Sequence, residues 1–168
     1  LFRATALAIA EVPEMNGFHV DGAFVPREAV LMGVGISLRQ GGLIAPAILD
    51  ALDKDLPALM SANRDLVGHA RTLQLRSLEM SQATITVTVL GDQGAETVYG
   101  VIYPPQVALV GFGTVVKRPW AHDGMLGVRR VVHVTLSADH GGIYGQPIGP
   151  QMDVDSIDVL NVLMGVHE

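Results

Sequence analysis

The sequence predicts a mixed α+β domain in which strands outnumber helices, and three observations carry that expectation. Segments rich in β-branched residues that alternate along the chain recur, most cleanly in Val30 to Leu38 and Thr84 to Leu90. Two other segments place apolar residues at helical spacing, Leu1 to Glu11 and the stretch after Asp55. Finally, 49% of the 168 residues are apolar and only 17% are charged. That suffices for one domain with one substantial core, and it leaves apolar surface to be hidden against other subunits, so a homo-oligomer is expected.

Taken in order, Leu1 to Glu11 reads as an amphipathic helix with Phe2, Ala6, Ile9 and Ala10 on one face, ended by Pro13. Phe18 to Val25 reads as a hairpin about Asp21-Gly22, with His19 lying on it without a chemical role. Val30, Met32, Val34, Ile36 and Leu38 share one side of a strand, Gln40-Gly41-Gly42 turns it, and Leu43 to Ile48 returns as its partner. Pro46 puts that return at an edge or a bulge, since proline cannot donate to a ladder. Asp55 caps a helix with Pro57 in its first turn and Leu56, Leu59, Met60, Leu66, Val67 and Ala70 as its apolar stripe; His69 lies off the stripe and is assigned to the surface.

Thr84 to Leu90 is a strand closed by Gly91, and Asp92 to Glu96 is a polar loop. Val98 to Tyr103 and Val107 to Phe112 are extended runs separated by the bend Pro104-Pro105-Gln106. Pro119 to Gly124 reads as a hairpin loop with His122 solvated, and Val128 to Ala138 as one long strand with His133 packed or locally bonded in its middle. Beyond Gly145, Asp155 or Ser156 caps a short last helix through Leu163.

Composition removes several classes of function. A net charge of −6 without a basic cluster argues against a nucleic-acid partner. No apolar run approaches the roughly 18 residues needed to span a bilayer, so no membrane association is expected. With no cysteine there is neither a disulfide framework nor a thiolate site, which fits a reducing compartment, and a cytoplasmic location is expected. No two of His19, His69, His122, His133, His140 and His167 stand four apart as a helical zinc pair would require, so no metal is expected. Gly33-Val34-Gly35 lies inside a strand pattern and makes no nucleotide fingerprint, and no Gly-x-Ser-x-Gly elbow exists.

What remains is the end of the long strand. The run through Leu136-Ser137-Ala138 stops on Asp139-His140-Gly141-Gly142. A histidine at a strand exit is held by the sheet yet reaches the groove beyond, as a general base must. The hydroxyls of Thr84, Thr86 and Thr88 alternate along an earlier strand, where β-propensity alone accounts for most threonines.

Four stretches, in order, resemble the catalytic domain of the dihydrolipoyl acyltransferase component of 2-oxo acid dehydrogenase complexes, which shares its fold with chloramphenicol acetyltransferase. Gln40-Gly41-Gly42-Leu43-Ile44-Ala45-Pro46-Ala47-Ile48 is similar to the family's Gly-Leu-Ile-x-Pro-x-Ile segment. Glu79-Met80 through Ile85-Thr86-Val87-Thr88-Val89-Leu90-Gly91 is similar to its Phe-Thr-Ile-Ser-Asn-Leu-Gly strand. Tyr103-Pro104-Pro105-Gln106-Val107-Ala108-Leu109-Val110-Gly111 resembles its Asn-Pro-Pro-Gln turn, and Leu136-Ser137-Ala138-Asp139-His140 its Leu-Ser-x-Asp-His.

The resemblance covers residues 1 to 140 and implies a two-layer, chloramphenicol acetyltransferase-like α/β domain, a mixed sheet with flanking helices. It implies that residues 1–168 are an acyltransferase catalytic domain lacking the N-terminal portion, with the family's lipoyl and subunit-binding domains absent. His140 falls on the family's catalytic histidine, and Thr88, 52 residues earlier, on its serine hydroxyl. The implied substrates are coenzyme A and dihydrolipoamide, with no metal; which residues bind them is not implied. The implied partners are further copies of the chain, in a trimer or a larger cage, and the decarboxylase and dihydrolipoamide dehydrogenase components of the complex.

The chain departs from the family after the histidine. Where the family reads His-Arg-x-x-Asp-Gly, His140 is followed by Gly141, Gly142, Ile143, Tyr144 and Gly145, so only the final glycine stands. Two alternatives therefore accompany the acyltransferase reading: an assembly core with a weakened site, and a chloramphenicol-type acetyltransferase acting on a small alcohol.

Overall fold

The computed structural model describes residues 1–38, 41–80, 82–122, 124–139 and 141, and among these residues short strands alternate with two α-helices. The expected turn at Gln40, the residues His140, Gly142, Tyr144 and His167, and the expected helix from Asp155 or Ser156 to Leu163 lie outside the described residues.

Helix α1 (Phe2–Glu11) buries Thr5, Ala6 and Ile9, while Ala10 faces solvent. A helix this short lays only a narrow stripe on its neighbours, and Ala10 falls past its edge. The Asp21-Gly22 hairpin forms as expected from β1 (Gly17–Val20) and β2 (Ala23–Pro26), with both turn residues at positive φ. The alternating run after Val30 makes β3 (Met32–Val34) and β4 (Ile36–Ser37); Val30, Met32, Val34 and Ile36 are all buried on one side. Its return is also split around Pro46, into β5 (Leu43–Ile44) against β4 and β6 (Ala47–Ile48) against β3. As the proline requires, β6 is an edge strand.

Helix α2 (Leu56–Arg71) starts where Asp55 Oδ1 accepts the Ala58 amide at 2.8 Å. Leu59, Leu66 and Ala70 are buried, but Leu56 is 55% and Met60 37% exposed, so the contact stripe is narrower than the apolar pattern. His69 is not a free surface residue. Its Nδ1 lies 2.8 Å from Glu79 Oε1, while Glu79 Oε2 accepts the Arg76 amide and the Glu79 carbonyl accepts the Ala47 amide of β6. The end of α2 is thereby stapled to the sheet edge.

Strands β7 (Ile85–Val89), β8 (Ala108–Phe112) and β11 (Val134–Ala138) complete a five-stranded sheet in the order β11-β8-β7-β3-β6. The β3/β7 and β7/β8 pairs are parallel and the outer pairs antiparallel. Two expectations fail here. Val128 to Ala138 is not one strand: β10 (Met125–Val131) and β11 are separated at Val132-His133, because β10 leaves to pair with β9 (Val116–His122). Pro119 is inside β9 rather than in the hairpin loop; the two-stranded hairpin is all edge, so its missing N–H breaks no central ladder. The extended run Val98 to Tyr103 joins no ladder among the described residues, and its role emerges from the sheet's two faces.

Residues aligned across the strands share a face. One row set, Met32, Val34, Ile48, Ile85, Val87, Ala108 and Phe112, packs with Ala6, Ile9, Leu59, Leu66 and Ala70 of the helices as the core. The opposite face carries Gly33, Thr86, Leu109 and Ser137 in one row, and Thr88, Gly111 and Thr135 in the next. The segment from Ala95 to Gln106 lies on that face. Its Val98 and Gly100 carbonyls accept the Thr135 and Ser137 hydroxyls, and Gln106 Oε1 accepts the Thr86 hydroxyl. Its backbone comes so close that a Cβ on Gly100 would sit 2.0 Å from a Leu109 methyl, and one on Gly113 would sit 1.8 Å from the Glu96 carbonyl oxygen. Among the described residues no helix is long and apolar enough to cross a membrane.

Two outcomes follow for stability. Leu59→Ala is expected to destabilise by about 2–5 kcal/mol, whereas Leu56→Ala changes stability by at most about 0.5 kcal/mol, read from urea midpoints. For Glu79, burial alone would raise the carboxyl pKa, but the Arg76 amide and His69 outweigh it and hold the carboxyl below its ordinary value. The staple therefore stabilises the fold above the ordinary carboxylate range and is lost as the pH falls through the lowered value. Urea midpoints of the wild type and Glu79→Gln are expected to differ at neutral pH and to converge in acid.

Candidate active site

The strand alternation that buries Ile85 and Val87 places three threonines on the opposite face, and they are not equivalent. Thr84 is 1% exposed, and its hydroxyl engages the backbone of Leu31. Thr86 is fully buried and donates to Gln106 Oε1 at 2.7 Å. Thr88 is half-buried at the end of the row, beside Gly35, and for its hydroxyl no hydrogen bond is found among the described residues. A Cβ at residue 35 would stand 3.1 Å from Thr88 Oγ1, so the glycine keeps that side of the hydroxyl open. The two buried threonines are structural; of the three, Thr88 is the one whose hydroxyl is uncommitted among the described residues.

The other sequence-predicted residue, His140, lies outside the described residues, but its predecessor is well defined. Along β11, Ser137 is opposite Leu109 and Ala138 opposite Ala108, and the Asp139 amide donates to the Val107 carbonyl at 2.7 Å. Thr88 is opposite Gly111, four residues farther along β8. At about 3.3 Å per residue the two rows are about 13 Å apart, before adding the two strand spacings of about 4.8 Å between β7 and β11. The chain is also travelling away from Thr88 as it reaches Asp139. The structure thus does not bring Thr88 and the Asp139 end of β11 together within one chain.

It does bring together a pair absent from the sequence reading. His19 Nδ1 lies 3.0 Å from Asp139 Oδ2, with about one third of each side chain exposed. The local sequence of β1 marks nothing more than a hairpin position, and the partner is 120 residues away. His122 is exposed on β9 with a partner of its own, and His133 sits at the break before β11, its carbonyl accepting the Gly113 amide. Among the described residues no three His, Asp or Glu side chains gather as a metal-binding group.

Comparison with known proteins bears on the family and the fold. The profile of the 2-oxoacid dehydrogenases acyltransferase (catalytic domain) family matches residues 1–153. The dihydrolipoyllysine-residue acetyltransferase component of the pyruvate dehydrogenase complex of Mycobacterium bovis is 36% identical over 127 residues, 73% of this chain and 23% of that protein. Azotobacter vinelandii dihydrolipoamide acetyltransferase, solved in a study of the catalytic roles of a serine, a histidine and an asparagine, superposes with a TM-score of 0.76 at 26% identity, over 82% of this chain and 57% of that one. The cubic core of a pyruvate dehydrogenase multienzyme complex gives a TM-score of 0.77 at 26% identity, over 83% and 58%. The chain therefore spans about a quarter of the length of the Mycobacterium relative and under two thirds of the solved cores. With the family profile matched over residues 1–153 of this chain and a superposition on the Azotobacter core at a TM-score of 0.76, the chain belongs to the 2-oxoacid dehydrogenase acyltransferase catalytic-domain family.

Proposed function

We propose that the chain transfers an acyl group between dihydrolipoamide and coenzyme A as the core acyltransferase of a 2-oxo acid dehydrogenase complex, with His140 as base and Thr88 as oxyanion donor. The observation that carries this reading is the Thr88 hydroxyl, which has no hydrogen bond among the described residues while those of Thr84 and Thr86 are engaged. The spacing supports it too: the serine and histidine probed in the Azotobacter enzyme are 52 positions apart, the interval between Thr88 and His140.

In the forward direction the neutral His140 imidazole takes the proton of the coenzyme A thiol, and the sulfur attacks the thioester carbon of acyl-dihydrolipoamide. The carbonyl oxygen becomes an oxyanion, to which the Thr88 hydroxyl donates a hydrogen bond. Collapse of the tetrahedral centre breaks the bond to the dihydrolipoyl sulfur, which recovers the proton from the imidazolium. No covalent enzyme intermediate is required.

The distance between the Thr88 row and Asp139 supports a division of labour in which the hydroxyl and the imidazole come from neighbouring chains. A trimer, alone or built into a cage, satisfies that requirement and hides apolar surface of a chain that is 49% apolar. The decarboxylase and dihydrolipoamide dehydrogenase components would then be the partners that load and reoxidise the lipoyl group.

One observation favours the alternative of an assembly core with little activity. The third residue probed in the Azotobacter enzyme, an asparagine, stands four positions after its histidine, where this chain has Tyr144. The same assay separates the two: transfer from an acyl-coenzyme A to free dihydrolipoamide. The acyltransferase reading expects wild-type turnover, a fall of about 10²–10⁴-fold for His140→Ala, a fall of about 10²–10³-fold in kcat for Thr88→Ala, and activity retained by Thr88→Ser. A wild type no faster than His140→Ala would leave the assembly core.

A further inference from the structure

We propose that His19 is a positioning residue for the acyl transfer, acting through Asp139 on the base that follows it in the chain. The inference rests on the proposed function and deepens it. An ionised carboxylate only accepts hydrogen bonds, so the 3.0 Å contact requires the proton of the His19 ring on Nδ1, donated to Asp139 Oδ2. The bond holds whether the imidazole is neutral with that tautomer or fully protonated.

Both residues are anchored to the same three-residue segment. The His19 amide donates to the Pro105 carbonyl at 2.7 Å, Phe18 bridges to Gln106, and the Asp139 amide donates to the Val107 carbonyl at 2.7 Å. Gln106 is in turn held by Thr86 of the central strand. The β1/β2 hairpin has no ladder to the five-stranded sheet, so this segment is what brings His19 opposite Asp139.

The consequence concerns the exit of β11. With its amide on Val107 and its carboxylate on His19, Asp139, the residue before the base, is held by backbone and side chain together. A base must be held within a fraction of an ångström and some 10–20° of its working geometry, and displacement by about 1 Å can lower the rate about 100-fold. His19 touches no substrate in this account. It sets where the base begins.

The test is steady-state acyl transfer by the assembled wild type, His19→Phe, His19→Asn, Asp139→Asn and the His19→Phe/Asp139→Asn double variant. The amide nitrogen of asparagine reaches the place of Nδ1, whereas phenylalanine keeps the ring and removes the donor. The expected result is a fall of about tenfold or more in kcat for His19→Phe, with KM for both thiols within about twofold, and recovery of most of kcat by His19→Asn. In the Asp139→Asn background, His19→Phe should add little. An unaltered His19→Phe, a His19→Asn as slow as His19→Phe, or losses that multiply independently would overturn the inference.

Should His19→Phe fail to assemble, nitrogen NMR of the imidazole decides. The His19 ring should carry its proton on Nδ1 in the wild type and lose that preference in Asp139→Ala; no change would overturn the contact's role. A wild type without transferase activity removes the proposed function and this inference with it. An active wild type matched by His19→Phe removes this inference alone.

Discussion

The structure depends on one constraint: β7 is a parallel strand with a neighbour on each side, so both of its faces must be covered. Its alternation answers that requirement asymmetrically. Ile85 and Val87 face the helices and form the centre of the apolar core, while Thr84, Thr86 and Thr88 face the other way. A second aliphatic face would have called for a second layer of helices. Hydroxyls and glycines instead admit a stretch of backbone, Ala95 to Gln106, whose carbonyls satisfy the hydroxyls of Thr135 and Ser137 and whose Gln106 side chain satisfies Thr86.

That arrangement also decides which hydroxyl is available. The covering segment and the β3 side engage Thr86 and Thr84, and among the described residues the Thr88 hydroxyl, beside the glycine at position 35, has no partner. The end of that segment at Pro105 and the adjoining Val107 hold the two ends of the His19–Asp139 contact. Core, cover and candidate site are therefore three consequences of one alternating pentapeptide, Ile85-Thr86-Val87-Thr88-Val89.

Much of this was legible in the chain, and the failures have identifiable causes. Period-two alternation found β3 and β7, Asp21-Gly22 found its hairpin, Asp55 with Pro57 found the start of α2, and Pro46 marked an edge, because each signal acts within a few residues. Composition could not show that Val98 to Tyr103 lies on a sheet instead of within one: an extended segment bonded through hydroxyls has the residues of a strand without its ladder. Nor could it show that the apolar run from Val128 onward breaks at Val132-His133, where the chain changes sheets. In the sequence nothing marks His69 and His19, because their partners, Glu79 and Asp139, are brought to them by tertiary structure. Thr88 was reached through resemblance; the geometry then separates it from Thr84 and Thr86, which propensity alone does not do.

In the proposed reaction, the hydroxyl of Thr88 and the base after Asp139 serve one acyl transfer from two different chains. The direct measurement is complementation: Thr88→Ala and His140→Ala chains, each inactive alone, are unfolded together in equal amounts, reassembled and assayed for acyl transfer. If each site takes its base from one chain and its hydroxyl from the next, random assembly rebuilds about one site in four, and the mixture recovers about a quarter of wild-type activity. A mixture that stays at the level of its two parents, while reassembled wild type is fully active, would place both groups in the same chain and contradict the account.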